Sequence, residues 1–273
     1  MGFGVEGKDD DGKKTTRSFD SAKELLEHKI QVICEEAWAD DPPVLYLTND
    51  SRLHSSVQRK RAKAGLPSLP YIPNFRVAVA TTKPYKGTRK NEKPFHYDNL
   101  TAHIMREYNC KVATYIEADD LISIDHRLDP ENTIICTRDK DLRITPGNHY
   151  GWQCGQTMGY GPMVITELGF LEKNEASGKV KGGGLMFFYY QMLVGDSVDN
   201  IPGLLRYGPK KAFDLLGECG SEEELFRVVS CEYEKLHEGK WREYYNEQAT
   251  LLWMIQEINE DGSYAFHKIF DER

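Results

Sequence analysis

The chain has 273 residues, 40% of them hydrophobic and 29% charged, with a formal net charge of −8. That balance suits a globular protein with one large domain, or a larger and a smaller one. No run of about 18 or more apolar residues occurs, so no transmembrane helix is expected. Met1–Arg17 is rich in Gly, Asp and Lys and lacks the apolar stretch of a secretory signal.

Residues 1–17 read as a flexible lead-in. From Asp20 a helix is expected, capped by Asp20 or Ser21, with Ala22, Leu25, Leu26, Ile30, Ile33 and Ala37 along one stripe. After the break at Asp41-Pro42-Pro43, the apolar run Val44–Thr48 fits a buried strand. Residues 51–74 are basic, Pro-bearing and partly aperiodic, and read as an exposed insertion. A helix over Tyr97–Tyr108, a strand at Val112–Tyr115, a helix over Glu117–Leu128 and a strand at Thr133–Thr137 follow. Strands alternating with helices predict an α/β protein whose parallel sheet is covered on both faces. Gly-rich stretches at 151–161 and 182–184 bracket a hairpin-like region. Beyond them the pattern is helical: Leu185–Val194, Pro209–Leu216, Glu222–Leu236 and Trp241–Ile258. A soft domain boundary falls near 180.

The cysteines (Cys34, Cys110, Cys136, Cys154, Cys219, Cys231) form no C-x-x-C pair and no zinc spacing with His. They read as reduced, mostly buried thiols of a cytosolic compartment. The acidic net charge argues against nucleic acid only as an average. Between Arg52 and Lys93 the charged residues are Arg52, Arg59, Lys60, Arg61, Lys63, Arg76, Lys83, Lys86, Arg89, Lys90 and Lys93, against the single acid Glu92. A basic segment in a chain with clustered carboxylates suits a protein that holds phosphate in one part and cations in another.

Four acidic groups follow predicted strands or helices: Asp50; Glu117, Asp119 and Asp120; Asp139 and Asp141; Asp196 and Asp199. The carboxyl ends of parallel strands share one sheet edge, so the first three groups are expected to converge there. Gathered carboxylates repel unless a cation neutralises them, and an all-oxygen donor set favours Mg²⁺ or Mn²⁺ over zinc. Each group also has a plainer explanation. Acids in a first helical turn are favoured by the helix dipole alone, and Asp139-Lys140-Asp141 alone is compatible with a solvated turn. It is not an EF-hand loop, because Arg143 and Tyr150 stand where such a loop needs an oxygen ligand and a Glu.

Asp196 to Gly203 leads through Leu204-Leu205-Arg206-Tyr207 to Gly208-Pro209-Lys210-Lys211. A helix, a Gly-containing turn and a Pro at the first helical position predict a helix–turn–helix hairpin over 200–212. Its helix start, with Gly203, Gly208, Lys210 and Lys211, suits a DNA phosphate, or is an ordinary turn between helices. Pro84–Lys90 combines cations with one aromatic and a Gly. Tyr85 there suits base stacking, and Lys86, Arg89 and Lys90 suit phosphates; a solvated basic loop is the alternative.

Together, Tyr-Lys-Gly-Thr-Arg (85–89), Glu-Ala-Asp-Asp (117–120), Thr-Arg-Asp-Lys-Asp-Leu (137–142) and Gly-Asp-Ser-Val-Asp-Asn-Ile-Pro-Gly (195–203) resemble the flap endonuclease and 5′–3′ exonuclease superfamily. The nearest members in kind are phage exonucleases and the 5′ nuclease domain of bacterial DNA polymerase I. The motifs stand in the family's order, and the likeness spans about Asp20 to Leu216; the last motif is the most specific. The resemblance implies a PIN-like parallel α/β domain over 18–180, with the basic segment 51–93, followed by a helical region over 181–273 that carries the hairpin. It implies two Mg²⁺ ions, with Mn²⁺ as a substitute, and hydrolysis of DNA from 5′ ends or flaps, with RNA–DNA hybrids as a further substrate. By motif match Asp50, Glu117 and Asp119 serve the first ion, while Asp120, Asp139, Asp141, Asp196 and Asp199 surround the second. Lys86 and Arg89 match the catalytic basic pair. The implied setting is phage DNA replication or primer removal by a monomer in the cytoplasm, that of the host cell for a phage protein.

The sequence departs from the pattern twice. The family's leading strand, ending in a metal-binding Asp, has no counterpart, because Asp9, Asp10 and Asp11 lie in a hydrophilic run. Leu205-Arg206-Tyr207 stands where bacterial relatives place another Gly, so a differently shaped turn is expected. Two other readings are carried forward: a DNA-structure-binding protein without catalysis, and a PIN-type ribonuclease.

Overall fold

The structure is a computed structural model, and it describes residues 6–8, 10–12, 14–88, 93–237, 239–267 and 270. In chain order the elements are β1 (Glu6–Lys8), β2 (Lys14–Thr16), α1 (Phe19–Glu36), β3 (Val44–Thr48), α2 (Ser51–Lys63), α3 (Phe75–Val79), α4 (Tyr97–Glu107), β4 (Asn109–Ala113), α5 (Ala118–Leu128), β5 (Ile134–Cys136), a 3₁₀ turn (Asp141–Ile144), β6 (Gly147–Gly151), β7 (Tyr160–Ile165), β8 (Phe170–Lys173), β9 (Val180–Gly183), α6 (Gly184–Val194), α7 (Pro209–Leu216), α8 (Glu222–Leu236) and α9 (Trp241–Leu252). The protein is of the mixed α/β class, as the alternating pattern predicts; the parallel pair β3–β4 is joined through helices and the parallel pair β5–β6 through the 3₁₀ turn. It divides into two compact units, residues 1–73 with 90–118 and residues 74–89 with 119–273. Among the described residues no helix is long and apolar enough to cross a membrane.

In the first unit β3 pairs in parallel with β4, Val44 opposite Asn109 and Thr48 opposite Ala113. Parallel strands need a long crossover, and the intervening chain supplies it with α2 and α4. Leu47, Leu53 and Ile104 form the core here, with Leu26, Leu45 and Val57 packed against them. Ala22 and Leu100 join α1 to α4. Three expectations change. The helix α1 is capped by Ser18, whose hydroxyl accepts from the Ser21 amide, two or three residues earlier than Asp20 or Ser21. Part of the expected lead-in is ordered, because β1 and β2 pair as an antiparallel hairpin around Gly12, whose φ of +76° favours glycine. Half of the expected insertion is the helix α2, built on a stripe as narrow as Leu53 and Val57 and held at its start by Asp50.

In the second unit β5 pairs in parallel with β6, and β6 in antiparallel with β7. β8 and β9 form the hairpin that the Gly-rich stretches bracket. The helix α6 is apolar all round and buried, as a central helix must be: Phe187, Phe188, Tyr189, Met192 and Leu193 are almost fully enclosed. Around it pack Ala212 and Leu216 of α7, Leu225, Val229 and Tyr233 of α8, and Tyr245 and Ala249 of α9. The Tyr233 hydroxyl donates to the Met192 carbonyl at 2.7 Å, so its buried polar atom is satisfied. α9 stops at Leu252, short of Ile258, because the next residues are used in extended form by a buried ion pair described below. The cysteines are half-buried, or exposed at Cys231, not mostly buried as expected.

Candidate functional site

Two motifs far apart in sequence meet in the second unit. The turn 195–201 is closed by reciprocal backbone bonds between Asp196 and Ile201, each 2.8 Å. Asp196 Oδ1 accepts from the amides of Val198 (2.7 Å) and Asp199 (3.2 Å), which shapes the loop as an Asx turn. Gly195 and Gly203 lie back to back with φ of +73° and +60°. A Cβ on Gly203 would sit 2.3 Å from the Gly195 nitrogen, so the motif's two outer glycines are required sterically. Onto this turn folds the loop 84–87. The Lys86 amide donates to the Asp199 carbonyl (2.9 Å), Asn200 Nδ2 donates to the Pro84 carbonyl (2.8 Å), and the Tyr85 hydroxyl donates to Asp199 Oδ2 (3.0 Å). Lys86 Nζ lies 3.8 Å from the same carboxylate oxygen. Lys86 takes a left-handed φ of +55°, a conformation costly for a side-chain-bearing residue and stabilised here by those surrounding bonds.

The far end of the same loop is held by α9. The Thr81 and Thr82 amides both donate to Glu247 Oε1, at 2.9 and 2.8 Å, and their hydroxyls to Oε2, at 2.8 and 2.7 Å. Four donors on one carboxylate fix where the basic loop begins. No sequence signal marks Glu247, which lies 166 residues from Thr81.

Beyond Asp196 the network continues to the turn after β5. Asp139 Oδ1 accepts from the Asp141 amide at 3.0 Å, and the Asp139 amide donates to Thr137 Oγ1 at 3.0 Å. Asp141 Oδ1 accepts from Lys140 Nζ (2.7 Å) and from Gln191 Nε2 of α6 (2.6 Å). Lys140 Nζ also donates to Asp196 Oδ2. Burial, with Asp139 and Asp196 nearby, raises the Asp141 carboxyl to about 6 despite Lys140. Burial also opposes ionisation of Asp196, but Lys140 and the two loop amides outweigh it and hold its pKa below the usual value. Burial disfavours the Lys140 ammonium; Asp141 and Asp196 more than compensate, and its pKa is raised. No local sequence signal marks Gln191, and Lys140 stands out only as part of the motif at 137–142.

Asp120 is a correction. It is fully buried and forms a two-pronged ion pair with Arg76, at 2.7 Å on each side. Its Oδ1 also accepts from the Ile255 amide at 3.0 Å. Arg76 in turn donates to the carbonyls of Leu251 (3.1 Å) and Trp253 (2.6 Å). Both carboxylate oxygens are thereby committed to packing α3 and the end of α9 onto α5. Asp120 leaves the set of metal-ligand candidates.

Gly203 is corrected too. It is buried, its amide donates to Gln248 Oε1 (3.2 Å), and its carbonyl accepts from the Tyr244 hydroxyl (2.8 Å), which leaves nothing to meet a phosphate. Gly208 is exposed and caps α7 ahead of Pro209. Lys210 and Lys211 are exposed beside it, Lys211 Nζ standing 3.5 Å over the Tyr207 ring. Arg206 takes φ +67°, so the turn keeps a left-handed residue without the glycine. Arg89 and Lys90 lie outside the described residues.

Asp50 and Glu117 belong to the first unit, and Asp119 to the second. Asp50 is the N-cap of α2, its Oδ1 accepting from the amides of Arg52 (3.1 Å) and Leu53 (2.8 Å), and its Oδ2 lies 3.1 Å from Lys93 Nζ. Glu117 and Asp119 are half-buried at the start of α5, where the Asp119 carbonyl accepts from the Ser123 hydroxyl at 3.0 Å.

The donor types fit a hard divalent cation, all being carboxylate oxygens. Their arrangement does not. Among the described residues no three His, Cys, Asp or Glu side chains are gathered so as to hold a metal ion. The place between Asp141 and Asp196 is taken by the Lys140 ammonium.

No protein-family model and no curated protein matches the chain. Among solved structures, it is similar to a bacteriophage T5 flap endonuclease in a pseudo-enzyme–product complex with DNA and metal ions, at 12% identity and a TM-score of 0.36, over 77% of this chain and 99% of that one. It is also similar to the T5 5′-exonuclease with divalent zinc bound, at 13% identity and a TM-score of 0.36, over 77% and 100%.

Proposed function

We propose that the protein is a divalent-metal-dependent nuclease that hydrolyses DNA phosphodiester bonds from 5′ ends or flaps. One observation carries the reading: an unbroken network, Tyr85 and Lys86 to Asp199, Asp199 to Asp196, Asp196 through Lys140 to Asp141, and Asp141 to Gln191, built from four segments of the chain. It puts a cationic loop suited to phosphate beside carboxylates suited to cations, on the residues that carry the family resemblance. In this reading Lys86 and Arg89 meet the scissile phosphate, and Asp139, Asp141, Asp196 and Asp199 are the oxygen donors. A bound Mg²⁺ or Mn²⁺ would supply Lewis acidity and an activated water. Lys210 and Lys211 at the start of α7 contact the phosphates of the duplex. The nuclease domain spans 18–180, and the helical region 181–273 serves DNA binding.

The test is release of 5′ product from an end-labelled flap substrate in Mg²⁺ or Mn²⁺. Release is expected, and Asp139→Ala and Asp141→Asn should each abolish it. A second reading is favoured by the ammonium already seated among the carboxylates: a DNA-structure-binding protein that does not cut. Flap binding that persists in EDTA, with no release in either metal, would establish that alternative and sink the nuclease.

A further inference from the structure

The helix α1 ends in a left-handed capping turn, in which the Trp38 amide donates to the Glu35 carbonyl at 3.2 Å and the Ala39 amide to the Cys34 carbonyl at 2.9 Å. The left-handed residue is Trp38 itself, with φ of +56°, at a position that glycine or asparagine usually fills. It is also 79% exposed. A single exposed apolar residue needs no explanation, but here a costly backbone conformation holds the largest of side chains out in water. Glycine would remove both costs, so the indole has a task of its own. Its setting is acidic. Glu35, Asp40 and Asp41 flank it and are exposed, and no Lys or Arg occurs between Lys29 and Arg52.

The same compact unit carries the complementary feature. Between α2 and α4 lies a cavity of about 210 Å³, lined by Leu53, Val57 and Met105 among others. That is short of the roughly 300–1,000 Å³ of a small-molecule pocket, and it suits one large side chain. Met105 is 42% exposed, and its thioether is adaptable and packs well against aromatic rings. The rim is basic: Lys60 and Arg61 come from a helix with five Lys and Arg and no acid. The one acid in the lining, Asp98, is already paired with Arg52 at 2.8 Å.

We propose that the protein self-associates by seating Trp38 of one copy in the α2–α4 cavity of another, the acidic surround of the knob against the basic rim of the socket. A second copy is the occupant because one chain supplies both halves, a lone large aromatic and a one-residue cavity, opposite in charge. Trp is among the residue types that anchor such interfaces. Each copy holds one knob and one socket, so the contact closes as a reciprocal dimer or continues head to tail. The proposal is independent of the nuclease reading, and it departs from the monomer that the family resemblance implies.

Sedimentation velocity of the whole chain over a wide concentration range tests this. The wild type should associate as concentration rises, and less in high salt, where exposed charges are screened. Trp38→Gly should weaken association roughly tenfold or more with its thermal midpoint unchanged or higher, since glycine suits the left-handed position, so loss of folding is not the cause. Met105→Glu, at an exposed helical position, blocks the socket and leaves the knob. Neither variant alone should associate where the wild type does, and an equimolar mixture should pair at high concentration through one intact knob and one intact socket. A wild type that stays monomeric at every concentration overturns the proposal. So does association of Trp38→Gly at wild-type strength, or a mixture that never pairs. A monomeric wild type whose Met105 methyl NMR signal shifts with a single-stranded oligonucleotide would give the cavity to nucleic acid and equally overturn self-association.

Discussion

The Tyr85 hydroxyl donates to Asp199 Oδ2 at 3.0 Å across 114 residues of chain, and this bond joins the basic loop to the acidic turn. Tyr85→Phe keeps the ring and removes the donor. The variant should lose about 0.5–1.5 kcal/mol of stability in urea denaturation, the usual net worth of a hydrogen bond, or somewhat more because the acceptor is charged. If the midpoint does not move, the hydroxyl is not holding the loop.

The buried pair of Arg76 and Asp120 makes a sharper prediction. Removing one partner strands the other charge in the core, so Arg76→Met or Asp120→Leu alone should cost about 3–5 kcal/mol. The double variant Arg76→Met with Asp120→Leu should recover part of that loss. A double-mutant cycle by urea denaturation measures it, and strictly additive losses would refute the coupling.

Acid should weaken the second unit through His149. Its ring is fully buried, Nε2–H donates to the Thr145 carbonyl at 2.7 Å, and Nδ1 has no hydrogen-bond partner. Burial pushes its pKa down to about 4, the Thr145 bond opposing only in part. Between the unfolded value near 6.5 and about 4 the unfolded chain takes a proton that the folded chain refuses, so stability falls as pH falls through that window. Asp141, raised to about 6, works in the opposite sense, because the folded chain holds its proton more firmly than the unfolded one. Comparison with His149→Gln isolates the histidine: the stability difference, wild type minus variant, should fall steadily from pH 6.5 to 4. A pH-independent difference would exclude this role.

At Arg206 the turn carries a side chain where φ is +67°. A left-handed residue with a Cβ costs roughly 1–2 kcal/mol, and glycine gives part of that back as unfolded-state entropy. Arg206→Gly should therefore raise stability by about 0.5–1 kcal/mol, read as a shift in thermal midpoint. The reverse logic applies at Gly203: Gly203→Ala should destabilise on the order of 3 kcal/mol, since its Cβ would meet backbone on the opposite side of the turn.

Much of the fold is legible in the sequence because apolar period and breakers coincide. The run Val44–Thr48 is β3, and the Pro at the start of α7 marks its first residue. The acidic turn 195–203 is legible from its glycines and Asx chemistry. What escapes is decided by partners distant in sequence. Asp120 in a first helical turn looks like its neighbour Asp119, and only Arg76, 44 residues upstream, and the backbone at 251–255 reveal its packing role. The helix α2 escapes because charged residues dilute its stripe to Leu53 and Val57. The clamp of Glu247 on Thr81 and Thr82 leaves no local trace at either end.

That same geometry sets a timetable for synthesis. Arg76 takes two of its acceptors from residues 251 and 253, and Thr81 and Thr82 take theirs from residue 247. A ribosome delivers the segment 74–89 long before those acceptors exist, so the segment waits, with its arginine solvated, until the chain is nearly finished. Contacts of such long sequence separation form late. The loop bearing Tyr85 and Lys86 thus reaches its native place only after translation of α9, and a nascent chain released before that would carry the acidic turn but lack the Glu247 clamp that holds the basic loop against it.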